Sequence, residues 1–334
     1  MTKIPNDTGH PWRLHKFIEY QHKVPPIHPV TCVEYARRNG LNPDDCVFLS
    51  WLVSVTYCEV TSLYLFEKFD WKTLLRVQLQ GFWDRNKPVL IFGSARKHAK
   101  NMDWFVPLVM DFLKLVKRQP CDWLWQLTRG HNAAESYKLV YDQVSKIKYT
   151  GRFASDLFLE MLVAFSKAGF ILVDFQEPET LDWKNCSNLT SGLFNILYMD
   201  EEADLYDKTG YVAPEHIPLL NKRIRQVQRA IQKTYPEQDA SLPLVIGKIC
   251  SFRNLFKSNR YGGFHHDRQL ENILLYRVRC REAHMLWEEL FEIREKLFDK
   301  QLLGELNGWR GVRKERKKLW LQEGLTGVES IGEH

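Results

Sequence analysis

The segment NPDDCVFLSWLVSVTYCEVTSLYLFEK, residues 42–68, indicates the fold class more strongly than any other part of the chain. Asn42 can cap a helix, and the acidic residues Asp44 and Asp45 suit the first turn, so a helix is predicted to begin here. Apolar side chains then cover most faces of the helix as far as about Lys68. This pattern predicts a buried central helix of a helical domain rather than a membrane span, because Ser, Thr and Glu59 interrupt it. The Glu59 carboxylate is predicted either to line a pocket or to reach an edge of the core.

The rest of the chain also favours helices, and residues 88–92 and 170–175 are the two strand candidates, so we expect a nearly all-α protein. Residues 1–31 are polar and proline-rich, and Pro25, Pro26 and Pro29 are expected to exclude a regular helix there. We therefore predict an N-terminal extension over residues 1–31, a helical domain of one or two lobes over residues 32–303, and a basic tail over residues 304–334.

The charge of the chain is unevenly distributed. The total is +6 at neutral pH, but residues 218–233, 253–281 and 310–318 each carry +5 by direct count, so the remainder is negative. Such segregation favours a defined face that binds an anion. The seven cysteines are scattered without CxxC or close Cys/His spacing, which predicts reduced thiols in a cytosolic protein and no metal site.

The most unusual basic stretch is ICSFRNLFKSNRYGGFHHDRQLENILLYR, residues 249–277, in which aromatic residues alternate with cations. This composition is typical of a polyanion site. The candidate substrate-binding residues of the stretch are Arg253, Asn254, Lys257, Arg260, Tyr261 and Arg268, and Asp267 is a candidate catalytic carboxylate.

A glycine turn at Lys148–Arg152 separates two helical patterns, the second covering about residues 153–167. Such a turn can direct backbone N–H groups and a helix N-terminus at a phosphate, so Lys148, Gly151 and Arg152 are candidate nucleic-acid contacts. Helix-hairpin-helix DNA-repair enzymes place a functional Asp downstream of a turn of this kind. Asp174 follows an apolar run in the corresponding place, and the alternative is that it caps a helix.

Two further basic segments leave alternatives open. Residues 218–233 form a predicted helix with no acidic residue from Ile217 to Tyr235, which makes Arg225 and Arg229 candidate nucleic-acid contacts. The alternative is packing against the acidic residues at 200–207. The loop from Gly93 to Lys100 is rich in cations and is interpreted either as a backbone contact to nucleic acid or as a solvated charge cluster.

Parts of the chain resemble a known family. The segments RNLFKSNRYGGFHHDRQLE (residues 253–271), GRFASD (151–156) and LDW with TSGL (181–183 and 190–193) resemble the α-glutamyl/putrescinyl thymine pyrophosphorylases. These amino acid:DNA transferases of bacteriophages are related to helix-hairpin-helix DNA glycosylases. The resemblance covers about residues 30–300. The turn at Gly151 departs from the Gly-x-Gly of a well-formed hairpin.

The resemblance implies a helix-hairpin-helix glycosylase-like fold and a reaction on DNA. An amine or amino acid would replace pyrophosphate on a 5-pyrophosphoryl-methyl-uracil base. In that reaction the cations of residues 253–268 would bind pyrophosphate, and Asp174, Asp267 or Glu59 would be the general base. Tyr261, Phe264 or Trp183 would stack on the extruded base.

Two other hypotheses remain from the sequence: a glycosylase-like enzyme that excises bases with Asp174 at its centre, and a non-enzymatic DNA-binding protein. The expected partners are DNA carrying a modified pyrimidine and a small amine or amino acid, with no cofactor, no metal and no membrane. The expected location is the cytoplasm, that of the host cell if the chain is phage-encoded.

Overall fold

The computed structural model describes residues 11–24, 28–93, 96–175, 213–257 and 264–297, and in these ranges the regular secondary structure is helical. The α-helices, numbered in chain order, are α1 (Pro11–Lys23), α2 (His28–Asn39), α3 (Pro43–Thr56), α4 (Glu59–Lys68), α5 (Arg76–Asn86), α6 (Lys97–Asn101), α7 (Phe105–Leu115), α8 (Pro120–Thr128), α9 (Ala133–Val144), α10 (Gly151–Lys167), α11 (Ile217–Thr234), α12 (Leu242–Lys257), α13 (Phe264–Arg279) and α14 (His284–Leu297). The all-α prediction is confirmed, and the strands expected at 88–92 and 170–175 are wrong, since both segments are irregular.

The chain divides into two compact units, and the division falls inside α13. Of the described residues, the first unit holds 11–24, 213–257 and 264–267. The second unit holds 28–93, 96–175 and 268–297. The functional residues expected from the sequence are therefore distributed over both units.

Helix α3 is the centre of the second unit. Asn42 and Asp45 form the expected capping box, and every residue from Cys46 to Thr56 is buried. Trp51 stacks on Phe112 of α7 with ring centroids 4.5 Å apart, and its indole N–H donates to the Leu108 carbonyl at 3.1 Å. A helix with no polar face needs neighbours on every side, and α4, α7, α8 and α10 supply them.

The predicted single helix over residues 42–68 is in fact two helices. Tyr57 adopts a left-handed conformation (φ 52°) after α3, and α4 begins at Glu59. The Thr56 hydroxyl accepts from the Cys58 N–H at 3.1 Å and lies 2.7 Å from the Ser62 hydroxyl, so side chains satisfy the polar groups at the break. No Gly or Pro marks the break in the sequence, which is why the apolar pattern predicts one continuous helix.

The first unit contains α1, α11 and α12, with the start of α13. Phe17 and Tyr20 of α1 each meet Phe252 of α12 edge to face at 5.4 Å. His22 stacks on Tyr235 at 3.9 Å. An apolar stripe on α11 is buried, as its periodicity predicts: Leu220, Ile224, Val227 and Ile231.

The expectation that prolines exclude helix from residues 1–31 is wrong for α1 and for the start of α2. Pro11 opens α1, and Pro29 lies in the first turn of α2, where a proline costs little because the N–H it lacks would have no partner within the helix. Residues 25–27 lie outside the described ranges.

In the described part of the chain, no helix has the length and apolar character needed to cross a membrane. The five described cysteines, Cys32, Cys46, Cys58, Cys121 and Cys280, carry free thiols, as the sequence predicted.

Candidate functional site

The glycine turn that the sequence predicts lies between α9 and α10. Tyr149 (φ 70°) and Gly151 (φ 63°) both lie in the left-handed region, which Gly adopts without strain. Helix α10 begins at Gly151 with no side-chain cap and no acidic residue in its first turn. Its first N–H groups and the positive end of its dipole therefore face outward from the turn without a negative side chain to meet them.

Arg96 lies against this helix start. Its Nε donates to the Val55 carbonyl and its Nη1 to the Thr150 carbonyl, both at 3.2 Å. The residue is 8% exposed, and burial lowers the pKa of its guanidinium. Among the described residues, neither Nη2 of Arg96 nor the buried Thr150 hydroxyl has a hydrogen-bond partner. A buried cation beside an uncapped helix N-terminus is electrostatically costly, and a bound anion would relieve that cost.

Aromatic side chains flank the turn. Tyr149 stacks on Trp104 with centroids 4.2 Å apart, and the exposed Lys148 amine lies 4.8 Å from the Tyr149 ring. Phe153, in the first turn of α10, meets Tyr57 edge to face at 4.9 Å. Flat side chains and a cation are the groups with which a protein surface can contact the bases and the backbone of a nucleic acid.

The sequence grouped Arg96 with a basic loop but did not single it out. The structure separates the members of that loop: Arg96 binds two carbonyls and is buried, and Lys100 donates to the Leu90 carbonyl at 2.5 Å. Lys97 and His98 are exposed. Two of the cations in this basic loop, Arg96 and Lys100, thus bind backbone carbonyls and hold the protein structure together.

Asp174 lies in the exposed segment that follows α10. The backbone before it is fixed, because the Ser166 hydroxyl donates to the Val173 carbonyl at 2.7 Å, and Phe175 is buried. Within the described ranges, no hydrogen bond or ion pair joins Asp174 to Glu59, so the structure does not bring these two catalytic candidates into contact.

Glu59 is buried in the second unit, with 3% of its surface exposed. Burial raises the pKa of its carboxyl well above the usual range, although hydrogen bonds from Thr31, Cys32 and Gln269 oppose that shift. The Gln269 amide donates from Nε2 to Glu59 Oε2 at 2.5 Å and to Thr31 Oγ1 at 3.1 Å. Glu59 therefore lies inside a buried polar cluster. Of the two alternatives predicted from the sequence, the structure excludes an exposed edge of the core.

Sequence reasoning missed Glu160, a partly buried residue of α10. Burial, and then the Asp156 carboxylate one turn earlier, raise the pKa of Glu160 to about 7. The Glu160 charge in turn raises the pKa of Glu59. We call Glu59, Asp156 and Glu160 together with Gln269 the carboxyl cluster. The sequence did contain a signal for Glu160, because Asp156 and Glu160, four residues apart, interrupt the otherwise apolar pattern of α10.

One face of α13 supplies Gln269 to this cluster. Asn272 lies one turn further along, with its amide 3.5 Å from the Cys58 sulfur, and Tyr276 reaches Thr61 at 2.7 Å. These three α13 residues, spaced i, i+3 and i+7, share one helix face. The start of α4 and α13 are therefore held together by polar contacts.

In the first unit, the exposed face of α11 lines a cavity of about 490 Å³. Three cations share that lining: Lys222, Arg225 and Arg229. The described lining also includes Ile217, Pro218, Asn221 and Gln226. The two nucleic-acid candidates of this helix are thus brought together on a single concave surface, whereas Arg223 points into the protein and is buried.

Several candidates cannot be placed. Arg260, Tyr261 and Trp183 lie outside the described residues, as do the acidic residues at 200–207. Helix α12 contains Arg253, Asn254 and Lys257, helix α10 contains Arg152, and helix α13 contains Phe264. The structure describes the backbone of these five residues but not their side chains. Asp267 is buried in the first turn of α13, and Arg268 is partly buried.

Among the described His, Cys, Asp and Glu residues, no group has an arrangement that could hold a metal ion.

Comparisons with protein-family models, with curated proteins and with solved structures found no match to this chain.

Proposed function

We propose that this protein is a DNA base-modifying transferase with a helix-hairpin-helix glycosylase-like fold. In the proposed reaction an amine or amino acid replaces pyrophosphate on a 5-pyrophosphoryl-methyl-uracil base. The basis for the chemistry is the sequence resemblance, and the basis for a DNA substrate is both the resemblance and the geometry of the turn before α10.

The observation that carries the proposal is the buried Arg96 guanidinium beside the uncapped start of α10. Arg96 binds the Thr150 carbonyl at 3.2 Å, and its Nη2 has no partner among the described residues. A phosphate of a DNA backbone would accept from the first N–H groups of α10, with the buried Arg96 guanidinium adding positive potential behind them and the exposed Lys148 adding a charge at the surface. The cationic cavity of α11 offers a further contact for a polyanion.

The proposed chemistry needs one bond to form and one to break. The amine lone pair attacks the exocyclic methylene, the C–O bond breaks, and pyrophosphate leaves with the bonding electrons. The attacking amine must lose its ammonium proton first, so a carboxylate must accept it. Cations near the leaving group would stabilise the developing charge on pyrophosphate.

The deciding experiment is mass spectrometry of nucleosides after incubation of the full chain with DNA that contains 5-pyrophosphoryl-methyl-uracil and a mixture of amines. We expect an aminated thymine nucleoside and released pyrophosphate. Abasic sites without amination would indicate a glycosylase instead, and unchanged DNA with every amine would overturn the transferase proposal.

The DNA contact has its own test. Lys148→Glu places a negative charge beside the turn, whereas Lys138→Glu makes the same change on an exposed position of α9. Fluorescence anisotropy with a duplex at 50 and 200 mM salt should show at least tenfold weaker binding for Lys148→Glu and a smaller effect for Lys138→Glu. Equal losses in the two variants would mean that the turn is not the contact.

A further inference from the structure

We propose that the cavity on α11, in the first unit, is a binding site for a compact polyphosphate, that is, a small ligand with two or more linked phosphate groups. The site does not depend on the proposed reaction, although the pyrophosphate released in that reaction is one ligand of this class. Arg229, which the sequence predicts as a nucleic-acid contact, is thereby assigned to a small ligand.

The charge of α11 has a single sign. The helix contains no acidic residue and five cations: Lys222, Arg223, Arg225, Arg229 and Lys233. The nearest carboxylates along the chain, those of Glu215 and Glu237, are exposed and lie outside the helix. The first turn of α11 has no side-chain cap, and its residues Ile217 and Pro218 line the cavity, so the positive end of the helix dipole adds to the charge there. The potential in the cavity therefore favours an anion.

Lys222 and Arg229 are the cations on which a ligand would depend most. Both are exposed, and both line the cavity. Neither forms an ion pair or a side-chain hydrogen bond with another residue of the chain, whereas Asn221 and Arg225 of the same lining have other interactions. Lys222 and Arg229 can thus bind phosphate oxygens through charge-assisted hydrogen bonds without first giving up a protein contact.

Gln226 adds a donor of defined orientation to the cavity. The buried Arg223 guanidinium donates from Nη1 to Gln226 Oε1 at 3.5 Å. Only the oxygen of the amide can accept from a guanidinium, so this bond leaves the Nε2 group for a ligand. An amide that offers N–H groups beside two cations forms a set of donors, which suits the oxygens of a phosphate.

The spacing of the two cations favours linked phosphates over a single one. Lys222 and Arg229 occupy positions i and i+7 of α11, so they share one face and lie about 10 Å apart along the helix axis. A single phosphate concentrates its charge near one of them. Linked phosphates spread their charge along the row and can contact both side chains.

The size of the cavity favours a small ligand over a DNA backbone. Its volume of about 490 Å³ falls within the range of about 300–1,000 Å³ that is usual for small-molecule sites. Specific protein–DNA interfaces bury about 1,000–2,500 Å² of protein surface. The described lining of this cavity comes from α11 alone, between Ile217 and Arg229. The cavity therefore has the dimensions of a site for a compact polyanion.

The binding test uses inorganic pyrophosphate as the probe with the full chain in magnesium-free buffer, measured by isothermal titration calorimetry. We expect saturable binding with a Kd below about 1 mM, and orthophosphate should bind about tenfold more weakly. Lys222→Gln should weaken pyrophosphate binding about tenfold, because it removes a charge-assisted contact. The matched control Lys233→Gln makes the same change at an exposed position of α11 outside the lining and should bind as the unmodified chain does.

Four results would each overturn the site. They are equal losses in Lys222→Gln and Lys233→Gln, orthophosphate binding as tight as that of pyrophosphate, no binding at about 5 mM pyrophosphate, and displacement of bound pyrophosphate by a duplex of unmodified DNA. The last result would show that the cavity holds a DNA backbone.

The proposed transferase is decided separately, by the nucleoside analysis. Pyrophosphate binding by a chain that aminates no base would keep the cavity as a polyphosphate site and overturn the transferase. Amination by a chain that does not bind pyrophosphate would overturn the cavity site and leave the transferase standing.

Discussion

Tyr276 and Thr61 meet through their hydroxyl groups at 2.7 Å, although 215 residues separate them in the sequence. The Ile91 N–H donates to the Tyr276 hydroxyl at 2.9 Å, and the Thr61 hydroxyl donates to the Ile91 carbonyl at 2.6 Å. These two bonds leave Tyr276 as the donor to Thr61, so the three residues form a closed ring of hydrogen bonds. The ring fixes α13 against α4 and thereby sets the position of Gln269.

Removing the Tyr276 hydroxyl should be costly for that reason. In Tyr276→Phe, the Ile91 N–H loses its acceptor and Thr61 loses a donor in a buried place. We expect the free energy of unfolding to fall by about 1–3 kcal/mol, measured by urea denaturation. The ring of Tyr276 stacks on Trp287 at 5.0 Å and is retained in Phe, so packing is preserved. An unchanged denaturation midpoint would contradict the structural role of the hydroxyl.

Gly93 should tolerate no side chain. A Cβ at this position would lie 2.2 Å from the Tyr57 carbonyl oxygen and 2.5 Å from Tyr57 Cδ1, and the Gly93 N–H donates to the Thr56 carbonyl at 2.9 Å. Gly93→Ala must therefore displace the α3–α4 break, at a cost of about 1–3 kcal/mol or more.

Gly81 provides the matched control for that substitution. It lies within α5, and the nearest atom to a Cβ there is 3.6 Å away on the flexible Arg85 side chain. Gly81→Ala should raise the free energy of unfolding by about 0.5–1 kcal/mol, because Ala is the better helix former. Thermal unfolding of both variants should show shifts of opposite sign, and shifts of the same sign would argue against the close approach at Gly93.

These contacts also show what a sequence can and cannot predict. The cap at Asn42, the turn at Gly151 and the apolar stripe of α11 follow from local patterns, and the structure has all three. They could be predicted because each depends on residues within one or two turns of the chain.

The carboxyl cluster could not be predicted in this way. Gln269 lies 210 residues from Glu59, and nothing in either local sequence indicates that they bond. Arg96 was equally hidden, since a lone arginine in a basic loop looks the same whether it binds two carbonyls or faces water. Long-range pairing and burial, rather than residue type, decide which polar groups form a site.

Glu34 should make the second unit sensitive to acid. A hydrogen bond from the Lys296 ammonium, at 2.8 Å, is the largest cause that lowers the pKa of Glu34 from 4.5 to about 2, and Arg37 and Arg38 assist. A lowered pKa stabilises the fold above pH 4.5, and this contribution is lost as the pH falls towards 2. Glu34→Gln should therefore cost about 1–2 kcal/mol at pH 7 and almost nothing at pH 2. Urea denaturation of both proteins at pH 7 and at pH 2 measures this difference in the free energy of unfolding. An equal cost at both pH values would contradict the ion-pair role of Glu34.

Lys248 should also make stability rise with pH, in the first unit and over a higher pH range, because its deprotonation removes a penalty instead of adding a favourable contact. The residue is 6% exposed, and its amine lies 5.6 Å from the Tyr20 ring centroid and has no hydrogen-bond partner among the described residues. Burial lowers its pKa from 10.5 to about 7. Between pH 7 and 10.5 the folded chain has therefore lost a proton that the unfolded chain still carries. The free-energy penalty for burying Lys248 is thus largest below pH 7 and disappears as the pH rises to 10.5.

Replacement of Lys248 by an apolar residue of similar shape tests this directly. Lys248→Met keeps the packing on Tyr20 and removes the charge. The variant should be more stable than the unmodified chain by about 1–3 kcal/mol at pH 6, and the difference should shrink towards zero at pH 10. Urea denaturation followed by tryptophan fluorescence at several pH values gives both numbers. A variant that is less stable at pH 6, or a difference that does not change with pH, would show that the amine is stabilised in the folded chain by a partner.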